Sequence, residues 1–222
     1  MSTEEAVTAA EAYVKAYNMA MVAPTPNLWN TFHTEKADLY EKTHHEGNAI
    51  NYVGPTLAAE AVVRCLEDNH SARILDAACG TGAAAEKLIE KGYSNIDGLD
   101  ANRAMLDLAE KKNLYKQTYC VFVGDETFAS RANGTYDLVC CCGGFAPDMI
   151  PTNGFLDLVK LVKPGGFFIN MIGVQWYNHP FYKALGPLIE KLQEEKIIDC
   201  VEKTQHRYWK ERVAYVCVYK VM

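Results

Sequence analysis

The nine residues from Ile74 to Gly82, ILDAACGTG, constrain the fold of this chain more than any other segment. They read as a short buried strand, Ile74 to Ala77, that breaks at a glycine turn. The chain then reopens as a helix of small residues, Ala83 to Ala85, continuing through Glu86, Lys87 and Leu88. Glycine lets backbone come close to a ligand, and the first amides of the following helix have no partner within it. A strand, a glycine turn and a helix in that order form a docking point for a polar group. Gly80-x-Gly82-x-x-Ala85 also fits the tight turn of dinucleotide-binding folds, which alone is a weak signal.

Asp76 separates the ligands that such a turn could take. A fixed negative charge at the strand end opposes a pyrophosphate and favours a cation. S-adenosylmethionine, with a sulfonium and an ammonium group, is such a ligand. Asp76 could equally cap the amides of its own turn, a role compatible with ligand binding. A second carboxylate follows in YSNIDGLDANRAML, where a strand from Asn95 to Leu99 carries Asp100 at its end. Asp100 stands about 20 residues beyond the glycines, the usual place for a group that takes ribose hydroxyls. Capping the helix Arg103 to Lys112, from Asp100 or Asn102, is the plainer alternative. Asp125 and Glu126, after a strand from Cys120 to Val123, could meet an adenine edge or form an ordinary polar turn.

The rest of the chain keeps the same rhythm. YDLVCCC, from Tyr136 to Cys142, is apolar almost throughout, as in a strand covered on both faces, and exits through Gly143-Gly144. A helix from Gly154 to Val162, a turn at Lys163-Pro164-Gly165-Gly166 and a strand from Phe167 to Ile172 follow. A helix from Pro180 to Glu195 then leads to two segments rich in valine, isoleucine or tyrosine, Lys196 to Lys203 and Arg212 to Val221.

With these motifs in order, the chain resembles the class I S-adenosylmethionine-dependent methyltransferases from about Arg73 to Met222. The resemblance rests on ILDAACGTG, GLD at Gly98 to Asp100, GDE at Gly124 to Glu126, YDLVCCCGG and LVKPGG. Ala78 stands where that family most often has its first loop glycine. Within the superfamily the chain is most similar to the methyltransferase-like 27, or Williams-Beuren region, group. That likeness lies in Asp38 to Val62 and in DAACGTG. Tyr40-Glu41 fits the group's first tyrosine-acid pair, and His45-Glu46 occupies the place of the second.

The resemblance implies an α/β, Rossmann-like three-layer sandwich. Its seven-stranded sheet would be mostly parallel, with a terminal antiparallel hairpin. It implies cofactor contacts at Asp76, Ala78, Gly80 and Gly82, at Asp100, Ala101 and Met105, and at Asp125, Glu126 and Cys142. S-adenosyl-L-homocysteine would be the product. Residues 1–70 would form a helical lid and substrate-pocket region, and residues 71–222 the cofactor-binding core of one integrated domain. In the lid region Ala6 to Met21 has helical composition, Pro24-Thr25-Pro26 breaks it, and Trp29 to Glu46 sets Phe32, Leu39 and Tyr40 on one side of a further helix.

At 222 residues and 49% hydrophobic, the chain can bury a full core as one domain. A net charge of -6 argues against a general nucleic-acid footprint. Eight cysteines, the acidic Glu4, Glu5 and Glu11, and no apolar run of membrane length lead us to expect a cytoplasmic protein without a membrane partner. Cys140, Cys141 and Cys142 alternate between faces of one strand and cannot jointly grip a metal, so no metal is expected.

In-line methyl transfer needs alignment and exclusion of water more than it needs a base. Where the acceptor must lose a proton, His44, His45 and His179 are the candidates, each alone more often a surface histidine. Tyr40, Trp176 and Tyr177 could wall the pocket, with aromatic core packing as the blander role. Cys142-Gly143-Gly144-Phe145 lacks the Asn-Pro-Pro-Tyr type of motif associated with amino groups of bases or glutamine, which leaves a small molecule as the leading acceptor. Protein methylation, a nicotinamide-dependent oxidoreductase and a non-catalytic cofactor binder are the alternatives.

Overall fold

The computed structural model describes residues 28–44, 51–124, 135–147 and 149–222, together with Thr8, Glu11 and Lys15. Most of the expected helix 6–21, the Pro24 to Pro26 break, His45, Asp125 and Glu126 lie outside the described residues.

Seven strands form one sheet in the order β3-β2-β1-β4-β5-β7-β6. They are β1 (Ile74–Ala77), β2 (Ile96–Asp100), β3 (Thr118–Cys120), β4 (Tyr136–Cys142), β5 (Val162–Gly173), β6 (Ile198–Trp209) and β7 (Arg212–Val221). The pairs among β1 to β5 are parallel, and β7 runs antiparallel to both β5 and β6. The expected architecture is therefore present, with β7 as its single reversed strand. Helices α1 (Leu28–His44), α2 (Gly54–Leu66), α3 (Ala83–Glu90), α4 (Arg103–Lys111), α5 (Gly154–Lys160), the single turn α6 (Val174–Tyr177) and α7 (Leu185–Glu194) flank it. None of the described helices is long and apolar enough to cross a membrane.

The central strands show why the sheet forms. All four residues of β1 are buried, and Cys140 and Cys141 of β4 are almost fully enclosed, acting as small apolar side chains between neighbouring strands. Helix α2 was not anticipated from the sequence, where Gly54-Pro55 suits a turn and a helix start alike. Proline is in fact well placed in a first helical turn, where its missing N–H costs nothing, and Ala58, Ala61, Val62 and Leu66 behind it are buried. This helix packs against β4, β5 and β7.

Several boundaries differ from those read in the sequence. Strand β3 is 118–120 rather than 120–123, since Gly98 pairs with Thr118 and β2 ends at Asp100 opposite Cys120. Strand β5 begins at Val162, where the sequence suggested the end of a helix. Val162 pairs with Tyr136, the Lys163 to Gly166 turn bulges out, and pairing resumes at Phe167 with Leu138. Strand β6 runs on to Trp209, well beyond Lys203, and that extension delivers aromatic side chains to the site described next.

Candidate active site

The glycine turn is sewn to the end of β2. The Cys79 amide donates to the Leu99 carbonyl at 2.9 Å, and the Gly80 amide donates to Asp100 Oδ2 at 2.8 Å. Asp100 Oδ1 accepts the Asn102 amide at 2.8 Å. Both carboxylate oxygens are thus engaged with backbone, the Ala101 amide also acts on the carboxylate, and acceptor capacity remains for a further donor. Burial raises the Asp100 carboxyl above its ordinary range, while the amides of Asn102 and Gly80 oppose the shift. Ala78, in the place of the family's first glycine, takes the left-handed conformation itself at φ 57°. That conformation is uncommon for a residue with a Cβ and marks a turn held by its surroundings.

Asp76 is 1% exposed. The Tyr115 hydroxyl donates to its Oδ2 at 2.8 Å, and the Ala85 amide at the start of α3 also holds it. Its capping role is therefore real. Burial, with a smaller contribution from Asp100, pushes this carboxyl up to about 7 against those two donors. The sign follows: the folded form binds this proton more tightly than the unfolded chain does. The stability that this group contributes is complete below the ordinary carboxylate range and is lost as pH rises through about 7.

Three cavities lie side by side here, the first lined by Asp100 and the second by Asp76. The first, about 300 Å³, is walled by Leu99, Asp100, Ala101, Phe122, Val123 and Ile150. The second, about 40 Å³, lies over the turn between Asp76, Gly80, Thr81 and Ala84, and shares Ala78 with the first. The third, about 90 Å³, is bounded by Trp176, Tyr208, Trp209, Met171, His33 and His44. Tyr40, Tyr52 and Cys142 line both the second and the third. The three form one tract across the carboxyl ends of β2, β1 and β4, where open α/β sheets bind ligands.

The third cavity is aromatic, and none of its described lining residues is Asp, Glu, Lys or Arg. Burial lowers His33 to about 4, so that ring is neutral near pH 7. His44 stacks on Tyr40 with ring centroids 4.0 Å apart and planes 8° from parallel. Its Nδ1 lies 2.9 Å from Thr43 Oγ1 and 3.2 Å from the Tyr40 carbonyl. The Thr43 hydroxyl donates to the Leu39 carbonyl at 2.8 Å, and a carbonyl can only accept. The network therefore assigns the proton to Nδ1 and leaves the basic lone pair on Nε2. Among the described residues no group of His, Cys, Asp and Glu is arranged to hold a metal.

Helix α1 lies across this tract and is latched to α4. Asn102 caps α4 by accepting from the Met105 amide at 3.1 Å. Its Nδ2 is within 2.8 Å of both Asn30 Oδ1 and Thr34 Oγ1 on α1. Lys112 joins Glu41 of α1 to Glu86 of α3. Removing this cap and latch in Asn102→Ala should cost about 1–2 kcal/mol. Hydrogen exchange should then quicken in α1 more than in β1 and β4. Unchanged protection of α1 would show that the latch does not hold the helix.

Of the residues singled out in the sequence, Asp76, Ala78, Gly80, Asp100, Ala101, Cys142, Tyr40, His44 and Trp176 all line the tract. Gly82 and Met105 support the turn from behind. A Cβ on Gly82 would stand 2.5 Å from Leu114 Cδ1, and Met105 Cε would be 3.4 Å from one on Gly80. Tyr177 and His179 are not brought into the cavity. Tyr177 packs on Tyr215 with Lys203 Nζ 4.7 Å from its ring centre, and His179 sits beside Trp176 with ring centroids 6.1 Å apart. The single helical turn α6 turns Trp176 inward and Tyr177 toward β7. His33, Tyr52, Tyr115, Tyr208 and Trp209 were not singled out. They come from four separate stretches of chain, and no local pattern joins them.

Residues 74–166 match the family described as methyltransferase domain. The chain is 31% identical over 144 residues to human methyltransferase-like protein 27, covering 64% of this chain and 58% of that protein. It is 27% identical over 145 residues to a ubiquinone biosynthesis O-methyltransferase of Vibrio parahaemolyticus, covering 62% and 56%. The chain thus spans less than two thirds of the curated relatives that it matches. In fold it is similar to the magnesium protoporphyrin IX methyltransferase of Synechocystis PCC 6803 with bound SAM. That superposition has a TM-score of 0.63 at 15% identity and covers 88% of this chain and 96% of the other. It is also similar to the cyclase SpnF, with a TM-score of 0.58 at 13% identity, over 75% and 81%. A fold shared with a cyclase does not by itself assign a reaction.

Proposed function

We propose that this chain, which carries a methyltransferase domain, binds S-adenosylmethionine along the glycine turn and transfers its methyl group to an uncharged small molecule in the aromatic cavity. The observation that carries the reading is the tract itself. Two cavities edged by carboxylates run into an aromatic one, and Tyr40, Tyr52 and Cys142 stand at the junction. The residues present suit that cofactor. Asp100 keeps lone pairs for ribose hydroxyls, Leu99, Ala101 and Phe122 offer apolar walls to an adenine, and Asp76 faces the small cavity where a cationic end would sit. A buried carboxylate there disfavours the pyrophosphate of a nicotinamide dinucleotide, which argues against the oxidoreductase reading.

S-adenosylmethionine, when bound, supplies an electrophilic methyl carbon on a positively charged sulfur. The protein's own part is alignment and dehydration. Tyr52, Trp176, Tyr208 and Trp209 exclude water and present flat surfaces to an acceptor. Where the acceptor must lose a proton, His44 Nε2 receives it, with Nδ1 anchored at Thr43 and the ring fixed against Tyr40. Residues 1–70 then act as lid and pocket wall, and residues 71–222 as the cofactor-binding core of one integrated domain. The small size of the cavity and its lack of charged described residues favour a small neutral hydroxyl, thiol or amine over a polypeptide, and the Vibrio relative, named as an O-methyltransferase, fits that preference. Eight free thiols support a reducing, cytoplasmic setting.

The test is formation of S-adenosylhomocysteine from methyl-labelled S-adenosylmethionine with a panel of small phenols, thiols and amines, set against polypeptide acceptors. We expect turnover with an uncharged small acceptor. Label found only in polypeptide would favour protein methylation, and cofactor binding without turnover of any acceptor would favour a non-catalytic binder.

A further inference from the structure

Tyr115 lies outside every motif that pointed to the site, on the connection between α4 and β3, yet its side chain reaches the centre of the site. Gly98 makes room for its ring. A Cβ on Gly98 would stand 3.0 Å from Tyr115 Cδ2 and 3.1 Å from Cδ1 and Cε1. The hydroxyl ends 2.8 Å from Asp76 Oδ2. Gly98, the first residue of GLD, therefore has a reason to be glycine apart from strand geometry. It admits the ring that reaches the carboxylate of the neighbouring strand, with which it is in register.

We propose that Tyr115 is a positioning residue for the cationic end of the cofactor: its hydroxyl, donated to Asp76 Oδ2, holds that carboxylate beside the small cavity over the glycine turn and favours its charged form. The proposal rests on S-adenosylmethionine being the cofactor. Asp76 is enclosed, and burial alone drives it toward the neutral form. A neutral carboxyl would offer an ammonium group little. The Tyr115 hydroxyl and the Ala85 amide are the donors that work against burial, and Tyr115 is the one supplied by a side chain.

The other titratable groups facing Asp76 are Asp100 at the end of β2, Cys79 in the turn, and Cys140, Cys141 and Cys142 on β4. The four thiols are pushed up by burial, Cys142 to about 12, so they stay neutral through the range where Asp76 titrates. Tyr115 itself is raised well above the ordinary phenol range and keeps its proton. Asp100 adds negative charge nearby and shifts the titration of Asp76 upward.

The test uses Tyr115→Phe, which keeps the ring in its glycine slot and deletes only the hydroxyl. Binding of S-adenosylhomocysteine is measured by calorimetry from pH 6 to 9 for wild type and variant in the same buffers. The ammonium of the ligand titrates identically for both proteins and cancels in the ratio of dissociation constants. A hydrogen bond to a charged group should move the ionisation of Asp76 by about one to two pH units. The sign is upward in the variant, because the ionised form loses its donor. The expected ratio is about 10-fold or more near pH 6.5, closing to within about 3-fold by pH 9, where Asp76 ionises in both proteins. In an Asp76→Asn background, Tyr115→Phe should add no pH-dependent change.

A deficit that stays constant across pH would reduce Tyr115 to a packing role and overturn the proposal, as would no deficit. Failure of the wild type to bind at any pH would overturn the cofactor reading and this proposal with it. The carboxyl carbon of Asp76, followed by NMR titration without ligand, reads the link independently. Its midpoint should rise in Tyr115→Phe, and an unmoved midpoint would refute the proposal even if the affinity changed.

Discussion

Replacing Asp100 with alanine is expected to weaken S-adenosylhomocysteine binding by at least about 100-fold, or roughly 3 kcal/mol, and to lower the stability of the free protein as well. The carboxylate does two tasks at once. It holds the Gly80 and Asn102 amides at 2.8 Å each, and it lines the cavity of about 300 Å³. Hydrogen bonds to a charged acceptor are worth about 1.5–3 kcal/mol, so losing the brace should cost stability even without ligand. Asparagine at this position keeps the shape but has one acceptor oxygen, and its amide nitrogen would oppose one of the two backbone donors. Its loss should lie between wild type and alanine. Calorimetry gives the affinity and urea unfolding the stability. Lower stability with unchanged affinity would leave Asp100 as a brace for the turn and remove it from ribose binding.

The other large effect lies beneath the sheet. Phe155, on α5, is fully enclosed. Its ring meets Phe168 edge-on at 5.1 Å and Tyr219 at 5.3 Å, and Phe145 is 6.2 Å away. It therefore ties α5 to β5, to β7 and to the segment that leaves the end of β4. Phe155→Ala removes the ring and leaves a cavity that these rigid neighbours cannot fill, at a cost of about 3–5 kcal/mol. Against a total stability of about 5–15 kcal/mol for an ordinary domain, that is enough to leave part of the population unfolded on warming. Phe155→Leu should recover much of the loss. The urea midpoint should fall while the slope of the transition stays the same. A loss under about 1 kcal/mol would mean that the neighbouring rings collapse into the gap.

How much of this was legible in the sequence follows from which interactions are local. The β1–turn–α3 unit, the apolar run of β4 and the acid closing β2 are each written in a few consecutive residues. The family resemblance that these units carry in order implied the mostly parallel sheet with its reversed strand. Helix α2 was missed because Gly54-Pro55 is a turn signal and a helix-start signal alike. The bounds of β3 and β5 depend on where a neighbouring strand begins or ends, which no local pattern records.

The same distinction holds for the site. Asp76 and Asp100 could be found from their distance to the glycines, whereas Tyr115 reaches Asp76, and Tyr52 reaches the cavity beside it, only after the chain has folded. Tyr208 and Trp209 reach the aromatic cavity because β6 continues past its apparent end. Tyr177 and His179 are the converse case, since neither is among the residues that line the cavity. Both are plausible pocket residues by type and place in the chain, and the short turn α6 directs them elsewhere.

The central claim is that the glycine turn and its two carboxylates serve S-adenosylmethionine. The most direct measurement is calorimetric titration of the whole chain with S-adenosylmethionine and S-adenosylhomocysteine, with NADH as control. The account predicts saturable binding of the first two at one site and none of NADH. Binding of NADH, or no binding of either adenosyl ligand, would contradict it.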